Sequence, residues 1–323
     1  MRVFFLGWTA QYERHFIGYL ANHYPVSRLE VPKAFKRLHR LATGFKKSDD
    51  AQNRKVPWLG RLYCASQRFD RSDILICNEG QVRRNVLPSI VSQFPGRKVL
   101  LVRDLVDAAF MEEMKGFFDR IYSFDQAQCD RLGMEHLNQF FPLGFAEAQS
   151  LMTVEPASVA SGKRCFFLGR DKGRSALLNR LAEKLEQCGC AVDFRIVRDK
   201  TSTPVSRFHT DTLHDYEANL RFSLAADVLI EINQHGQAGF TLRTLEAAYF
   251  GKKLITDNAA VTASALYHPN NVFVLGEESA WNVDALSDFL DLPYEPLPSE
   301  TLYAYSPDCM IERLMRDSDS VLN

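Results

Sequence analysis

Short apolar runs alternate with stretches of helical spacing along most of this chain. The runs Arg2–Leu6, Asp73–Cys77, Lys98–Val102 and Arg120–Phe124 read as buried strands. Between them, Gln11–Asn22 sets Phe16, Ile17 and Leu20 on one helical face, and Asn85–Gln93, Ala108–Phe117 and Gln126–Leu132 read as helices. Asn138–Leu143 adds an apolar segment closed by Pro142 and Gly144, and Ala146–Gly162 is small and polar, as a linker would be. The alternation then restarts. Strands are expected at Arg164–Leu168, Val192–Val197, Val228–Ile232, Lys253–Thr256 and Asn271–Leu275. Helices are expected at Ser175–Gln187, with Leu177, Leu178, Leu181 and Leu185 on one face, and at His214–Ala225, Leu242–Tyr249 and Val283–Leu290. A proline-rich stretch, Leu292–Pro298, precedes a last helix over Pro307–Arg316. Strands alternating with helices predict an α/β chain with two doubly wound parallel sheets, one before and one after the linker. Ligands of such sheets bind at the C-terminal strand edges, so a central cleft faced by both is expected.

Composition removes several function classes. A formal net charge of −1 gives no global basicity for nucleic acid. No apolar run approaches the roughly 18–20 residues needed to span a bilayer, and MRVFFLGW reads as a first strand rather than a signal peptide. The seven cysteines are an odd, scattered set, with Cys188 and Cys190 spaced C-x-C, which fits reduced thiols in the cytoplasm. Neither a G-x-x-x-x-G-K-[ST] loop nor a strand followed by G-x-G-x-x-G is present, which disfavours kinases, GTPases and nicotinamide dehydrogenases.

Two stretches carry candidate chemistry. In FLGRDKGR, Phe167–Arg174, Gly169 allows close approach of a ligand, and Arg170, Lys172 and Arg174 stand where phosphate oxygens would meet a helix start. A solvated charged turn explains the same residues. In DVLIEINQHGQAGFTLRTLEAAYFGKKLITDN, Asp227–Asn258, a glycine-broken loop leads from a strand into a helix. Thr241 can cap that helix, and Arg243 in its first turn opposes the helix dipole unless an anion or carboxylate offsets it. Glu246 lies one turn on; it is either a ligand for ribose hydroxyls or an exposed helix glutamate.

GFTLRTLEAAYFGKKLIT resembles the donor-site signature of GT-B glycosyltransferases, and FLGRDKGRSALL is similar to the phosphate-contacting turn that precedes it, shortened between Arg170 and Lys172. Phe118–Phe145 further resembles the end of the N-terminal domain in bacterial lipopolysaccharide- and capsule-type transferases, including CgeB-like proteins. The resemblance implies two Rossmann-like domains, an acceptor-binding one over 1–146 and a nucleotide-sugar-binding one over 163–300. They are joined by a linker at 147–162 and followed by a helix, within 301–323, that packs back on the first domain. It also implies roles: Arg170 and Lys172 for the diphosphate, Gly239, Phe240 and Thr241 for the sugar or phosphates, Glu246 for the ribose. Where the family's first glutamate would fall, this chain has Ala238, so the retaining mechanism tied to the full pair is not implied; Glu231, on the preceding strand, does not replace it by spacing. His235 lies inside the donor loop.

An inverting transfer needs a base near the acceptor hydroxyl. Glu79 and Asp104 follow buried strands at their C-terminal ends; Glu79 is a candidate base or a loop residue, and Asp104 a candidate base or a cap of the following helix. No D-x-D stands at a strand end, so neither metal nor other cofactor is expected. The segment Lys33–Lys47 carries Lys33, Lys36, Arg37 and Arg40 beside Phe35, Leu38, Leu41 and Phe45. It reads as an ordinary surface helix packed on the sheet, or as a basic patch for an anionic membrane or acceptor. The expected function is glycosyl transfer from a nucleotide-sugar to a glycan or lipid-linked glycan in bacterial surface polysaccharide assembly, in the cytoplasm or at its membrane's inner face. A nucleotide-sugar 2-epimerase and a non-catalytic glycan- or nucleotide-binding partner are the alternatives.

Overall fold

A computed structural model of the chain describes residues 1–44, 51, 54–152, 162–233 and 239–319. The chain divides into two compact units, Met1–Pro142 with Met310–Asn323, and Leu143–Cys309. In the first, the order is β1 (Val3–Leu6), α1 (Gln11–His23), β2 (Val26–Leu29), α2 (Lys33–Ala42), α3 (Pro57–Gln67), β3 (Ile74–Asn78) and α4 (Glu79–Val82). It continues through α5 (Leu87–Gln93), β4 (Arg97–Val102), α6 (Ala108–Lys115), β5 (Arg120–Ser123), α7 (Gln126–Leu132) and β6 (Glu135–His136). The six strands are parallel, in the order β2-β1-β3-β4-β5-β6.

β1, β3 and β4 carry unbroken apolar runs because both faces are covered. Alternate side chains enter different cores: Phe4, Leu6, Leu75, Cys77, Leu100 and Val102 pack on one side. Val3, Phe5, Ile74, Ile76, Val99 and Leu101 pack on the other.

The second unit runs α8 (Phe145–Met152), β7 (Arg164–Arg170), α9 (Ser175–Gln187), β8 (Ala191–Val197), β9 (His209–Thr210), α10 (Tyr216–Ala225) and β10 (Val228–Glu231). Then come α11 (Leu242–Tyr249), β11 (Lys253–Thr256), β12 (Val272–Val274), α12 (Val283–Asp291), α13 (Ser299–Tyr303) and α14 (Pro307–Asp319). Its parallel sheet has the order β12-β11-β10-β7-β8-β9. From Met310, α14 belongs to the first unit: Met310, Ile311 and Leu314 enter the core beside Leu137 and Phe140. Tyr122 donates to Asp317 Oδ2 (2.9 Å), and Arg313 to the carbonyl of His136 (2.8 Å), fixing the helix there.

Three expectations change. Phe145–Met152 is helical rather than linker, with the Phe145 N–H on Asp308 Oδ2 at 3.0 Å; the rest of that stretch to 161 lies outside the described residues. Residues 301–309 stay with the second unit, because Tyr249 donates to the Leu302 carbonyl at 2.6 Å and Leu302 is buried. The apolar segment Asn138–Leu143 is irregular backbone with Phe140, Phe141 and Leu143 buried, in keeping with its composition. Strands β2, β6 and β9 and helix α3 have no counterpart in the sequence reading. These strands are edge or near-edge pieces of two to four residues, too short to show a period.

Candidate active site

In the second unit the chain leaves β7 toward β8 and β9, then returns to the other side with β10, so the order reverses between β7 and β10. Open α/β sheets bind ligands at such a switch point. Arg174, at the N-cap of α9, lies across it. Its guanidinium donates through Nε to the Asp171 carbonyl (3.1 Å), and through the two Nη groups to the carbonyls of Ile232, just past β10, and Arg170, at the end of β7. Burial lowers its pKa, while Asp257, Asp171 and Asp199 act to keep it charged. A Cβ at Gly169 would lie 3.1 Å from Arg174 Nη2 and 3.1 Å from the Phe167 ring, so this glycine makes room for the arginine.

The turn before α9 is rigidly pinned. Fully buried Asp171 accepts from His209 Nε2 (2.7 Å) and from the Ser175 N–H (3.1 Å). His209 Nδ1 accepts the Ser206 N–H (2.9 Å), which leaves the ring proton on Nε2, aimed at Asp171. Lys172 (φ 48°) and Gly173 (φ 80°) are left-handed, and their N–H groups donate to Asp199 Oδ2 (2.9 Å) and Thr201 Oγ1 (2.7 Å). Hydrogen bonds from Thr201 above all hold the Asp199 pKa down to about 2, so it stays anionic. The turn's amides are therefore occupied by the protein, and it offers exposed Arg170 and Lys172 side chains instead.

The start of α11 carries the cap the sequence implies. Thr241 caps it, accepting the Arg243 N–H at 3.0 Å. Glu231, 3% exposed, takes the hydroxyls of Thr241 (2.5 Å) and Thr244 (2.7 Å) on one oxygen and Thr256 (2.7 Å) on the other. It ties the helix to β10 and β11.

Arg243 and Glu246 turn toward α10. Glu246, 1% exposed, accepts from Arg243 Nη1 (2.6 Å), Ser223 Oγ (2.8 Å) and Asn219 Nδ2 (3.0 Å). Arg243 also donates to Asn219 Oδ1 (3.0 Å) and lies over the Phe166 ring at 5.1 Å. Burial raises the Glu246 pKa and the Arg243 charge opposes it. The dipole conflict of a first-turn arginine is thus offset by the chain's own carboxylate. Neither side chain stands open to a phosphate or a ribose, a correction to both expected roles.

Gly239 and Phe240 begin the described part of the loop, Phe240 with its ring 6.3 Å from Tyr305; His235 and Ala238 lie outside the described residues. Sequence reasoning missed Asp257, which follows β11 at the same edge and accepts the Asn233 N–H at 2.7 Å. Burial raises its pKa, with Glu231 adding to the effect and Arg174 opposing it. Its signal was an acid directly after a buried strand, the rule that picked out Glu79.

In the first unit the order reverses between β1 and β3. Glu79, the first residue of α4, is half-buried, and its Oε2 accepts the Arg103 N–H at 2.9 Å. Burial raises its pKa against the opposing Arg103 N–H and charge. Asp104 is exposed and accepts its neighbour's N–H, from Leu105, at 2.9 Å. Of the two base candidates, Glu79 is the one held in a partly buried pocket by a neighbouring strand end. Sequence reading also missed Arg103. Its guanidinium lies 4.9 Å from the Phe140 ring, 5.4 Å from Tyr12 and 5.8 Å from Trp8, and its buried Nε and Nη1 have no hydrogen-bond partner among the described residues. A cavity of about 470 Å³ opens beside this edge, lined by Gly7, Trp8 and Thr9 after β1, by Gln81, and by Lys33 and Lys36 of α2. Gly7 (φ 87°) needs its glycine: a Cβ there would sit 2.9 Å from Gln81 Cβ. Among the described residues, no group of three or more His, Cys, Asp or Glu side chains is placed to hold a metal ion.

No protein-family model matches the sequence, and no curated protein matches it. Solved structures do match in fold. Anabaena HepE, solved with UDP and glucose, is 12% identical with a TM-score of 0.57, over 99% of this chain and 100% of that one. Sucrose-phosphate synthase from Thermosynechococcus elongatus is 11% identical with a TM-score of 0.55, over 100% and 99%. The pneumococcal O-GlcNAc transferase GtfA, solved with UDP and GlcNAc, is 10% identical with a TM-score of 0.48, over 83% of this chain; the chain spans 60% of GtfA's length. The fold is that of the GT-B glycosyltransferases, two parallel six-stranded α/β sheets in one chain.

Proposed function

We propose that the protein is a glycosyltransferase. It takes a nucleotide-activated sugar on the second unit and moves the sugar to a glycan or lipid-linked glycan held by the first, in assembly of a bacterial surface polysaccharide. The observation that carries this is Arg174, a cation fixed across the switch point of a GT-B sheet with Arg170 beside it on β7. A diphosphate leaving group needs such positive charge where its own develops. HepE, similar in fold, was solved with UDP and glucose, which supports a nucleotide ligand. Arg170 and Lys172 meet the diphosphate with side chains, since the turn's amides are engaged, and Thr241 with Gly239 and Phe240 lines the sugar side. No metal is required in this reading.

Glu79 is the base. Burial raises its pKa and so its basicity toward the acceptor hydroxyl's proton, which it takes as that oxygen attacks the anomeric carbon and the carbon–diphosphate bond breaks. Direct displacement of this kind inverts the anomeric centre. Lys33 and Lys36 line the first unit's cavity and suit an acceptor bearing negative charge. The engagement of Glu246 by Arg243, together with Ala238, favours a second reading, a protein that binds nucleotide or glycan without turnover.

The test is product analysis by mass spectrometry after incubation with UDP-, GDP-, ADP-, dTDP- and CMP-sugars and glycan acceptors, for wild type and Glu79→Gln. Transfer from one donor, reduced about a hundredfold or more in Glu79→Gln, is expected. An altered free sugar or nucleotide-sugar with no acceptor consumed would identify an epimerase; donor binding without any turnover would identify the binding-only protein.

A further inference from the structure

Helices α2 and α3 lie side by side, Phe35 edge-on to Tyr63 with ring centroids 5.4 Å apart and His39 Nε2 hydrogen-bonded to the Arg54 carbonyl at 2.8 Å. Phe35 and His39, one turn apart, are the face of α2 turned to the protein. The rest of α2 faces out. Leu38 is 42% exposed and Leu41 67%, and on α3 Trp58 and Leu62 are each 51% exposed. Among the described residues these are four of the nine large apolar side chains left exposed, gathered on two adjacent helices. Lone exposed leucines need no explanation, but a cluster does.

Charge says what covers it. Residues 33–44 and 54–69 contain eight Lys and Arg and no Asp or Glu, in a chain whose net charge is −1. Lys33, Lys36, Arg37, Arg40 and Arg61 are all exposed, and none forms an ion pair among the described residues. On α2, Leu38 and Leu41 project from one flank and Lys36 and Arg40 from the other, by their helical spacing. Apolar side chains flanked by unpaired cations match a lipid surface, where leucines and a tryptophan enter the acyl boundary and lysines and arginines meet anionic headgroups.

We infer that the α2–α3 face docks the protein on an anionic membrane. No described helix is long and apolar enough to cross one. Lys33 and Lys36 belong both to this face and to the wall of the 470 Å³ cavity, which sets the cavity beside the bilayer, within reach of a lipid-anchored molecule. The inference does not depend on sugar transfer, because docking is read without any sugar present.

The test is flotation of the full chain with vesicles of phosphatidylcholine mixed with phosphatidylglycerol, against phosphatidylcholine alone, at low and high salt. Recruitment to the anionic vesicles only, weakened by salt, is expected. Arg37→Gln with Arg40→Gln should weaken partitioning about thirtyfold, as expected for two basic groups near a charged surface. Leu41→Ser with Trp58→Ser should weaken it comparably; all four side chains are exposed, so the melting point should hold. Failure to bind anionic vesicles, equal binding to neutral ones, or wild-type partitioning of both variants would overturn the inference. A protein retained instead by a proteinaceous partner falls under the first of these.

Discussion

Glu246 and Arg243 show how one buried ion pair can settle what two residues do. Removing one partner of such a pair strands the other's charge, at a cost of roughly 3–5 kcal/mol. Glu246→Leu is therefore expected to lose about that much in urea unfolding, and adding Arg243→Met should recover most of it. A loss below about 1 kcal/mol for Glu246→Leu would mean the carboxylate is not held as described, and would reopen its ligand role. Glu79 makes the complementary case. Native Glu79 keeps its proton to a higher pH than in the unfolded chain, so the native state is the more protonated through that window and stability falls as pH rises. Glu79→Gln should abolish that fall. The pH–rate profile should carry an acid limb above the ordinary glutamate range of about 4.3, with rate increasing as the base loses its proton. A limb at or below that value would remove Glu79 as the base. The charged turn holding Arg174 and the acid Glu79 are legible because each follows a buried apolar run, although β7 runs on to Arg170, two residues past the expected strand end. Sequence reading misassigned Arg243 and Glu246 because their partners, Asn219 and Ser223, come from a helix more than twenty residues away.

At the scale of elements, the long buried strands were readable and the short ones were not. β3 and β4 each hold four consecutive apolar residues, ILIC and VLLV, whereas β2 shows VSRL with only its ends buried and α3 has a helix period broken by Gly60. Gly60 is where α3 meets α5: a Cβ there would lie 2.0 Å from the Ser89 carbonyl oxygen. Gly60→Ala should cost about 1–3 kcal/mol by overpacking and lower the melting temperature. An unchanged melt would mean the helices are further apart than described. In the second unit, Lys253 enters β11 buried, donating to the carbonyls of Asn270 (2.6 Å) and Phe289 (2.8 Å). Burial, with the nearby Lys163 charge, brings its pKa down to about 8 from 10.5. Between those values the unfolded chain binds more protons than the native one, so stability should rise with pH through that window. Lys253→Met should flatten the rise; a stability curve unchanged by it would contradict the assignment.

At the scale of the molecule, two sheets with different strand orders each reverse direction once, and the charged groups singled out above gather at those reversals. In the second unit these are Arg170, Arg174 and Asp257; in the first, Glu79 and Arg103. That placement follows from topology, which the alternation of strands and helices already implied; which side chains the reversals hold follows from three-dimensional packing, which it did not. The central claim is that the second unit's reversal binds a nucleoside diphosphate through side-chain cations. It is tested most directly by calorimetric titration of UDP, GDP, ADP and their parent nucleosides into wild type and into Arg170→Ala with Lys172→Ala, a pair on the exposed turn. Binding of one nucleoside diphosphate is expected, weakened at least tenfold in the variant and nearly lost for the nucleoside. No binding of any diphosphate by folded protein, or equal affinity in the variant, would contradict it.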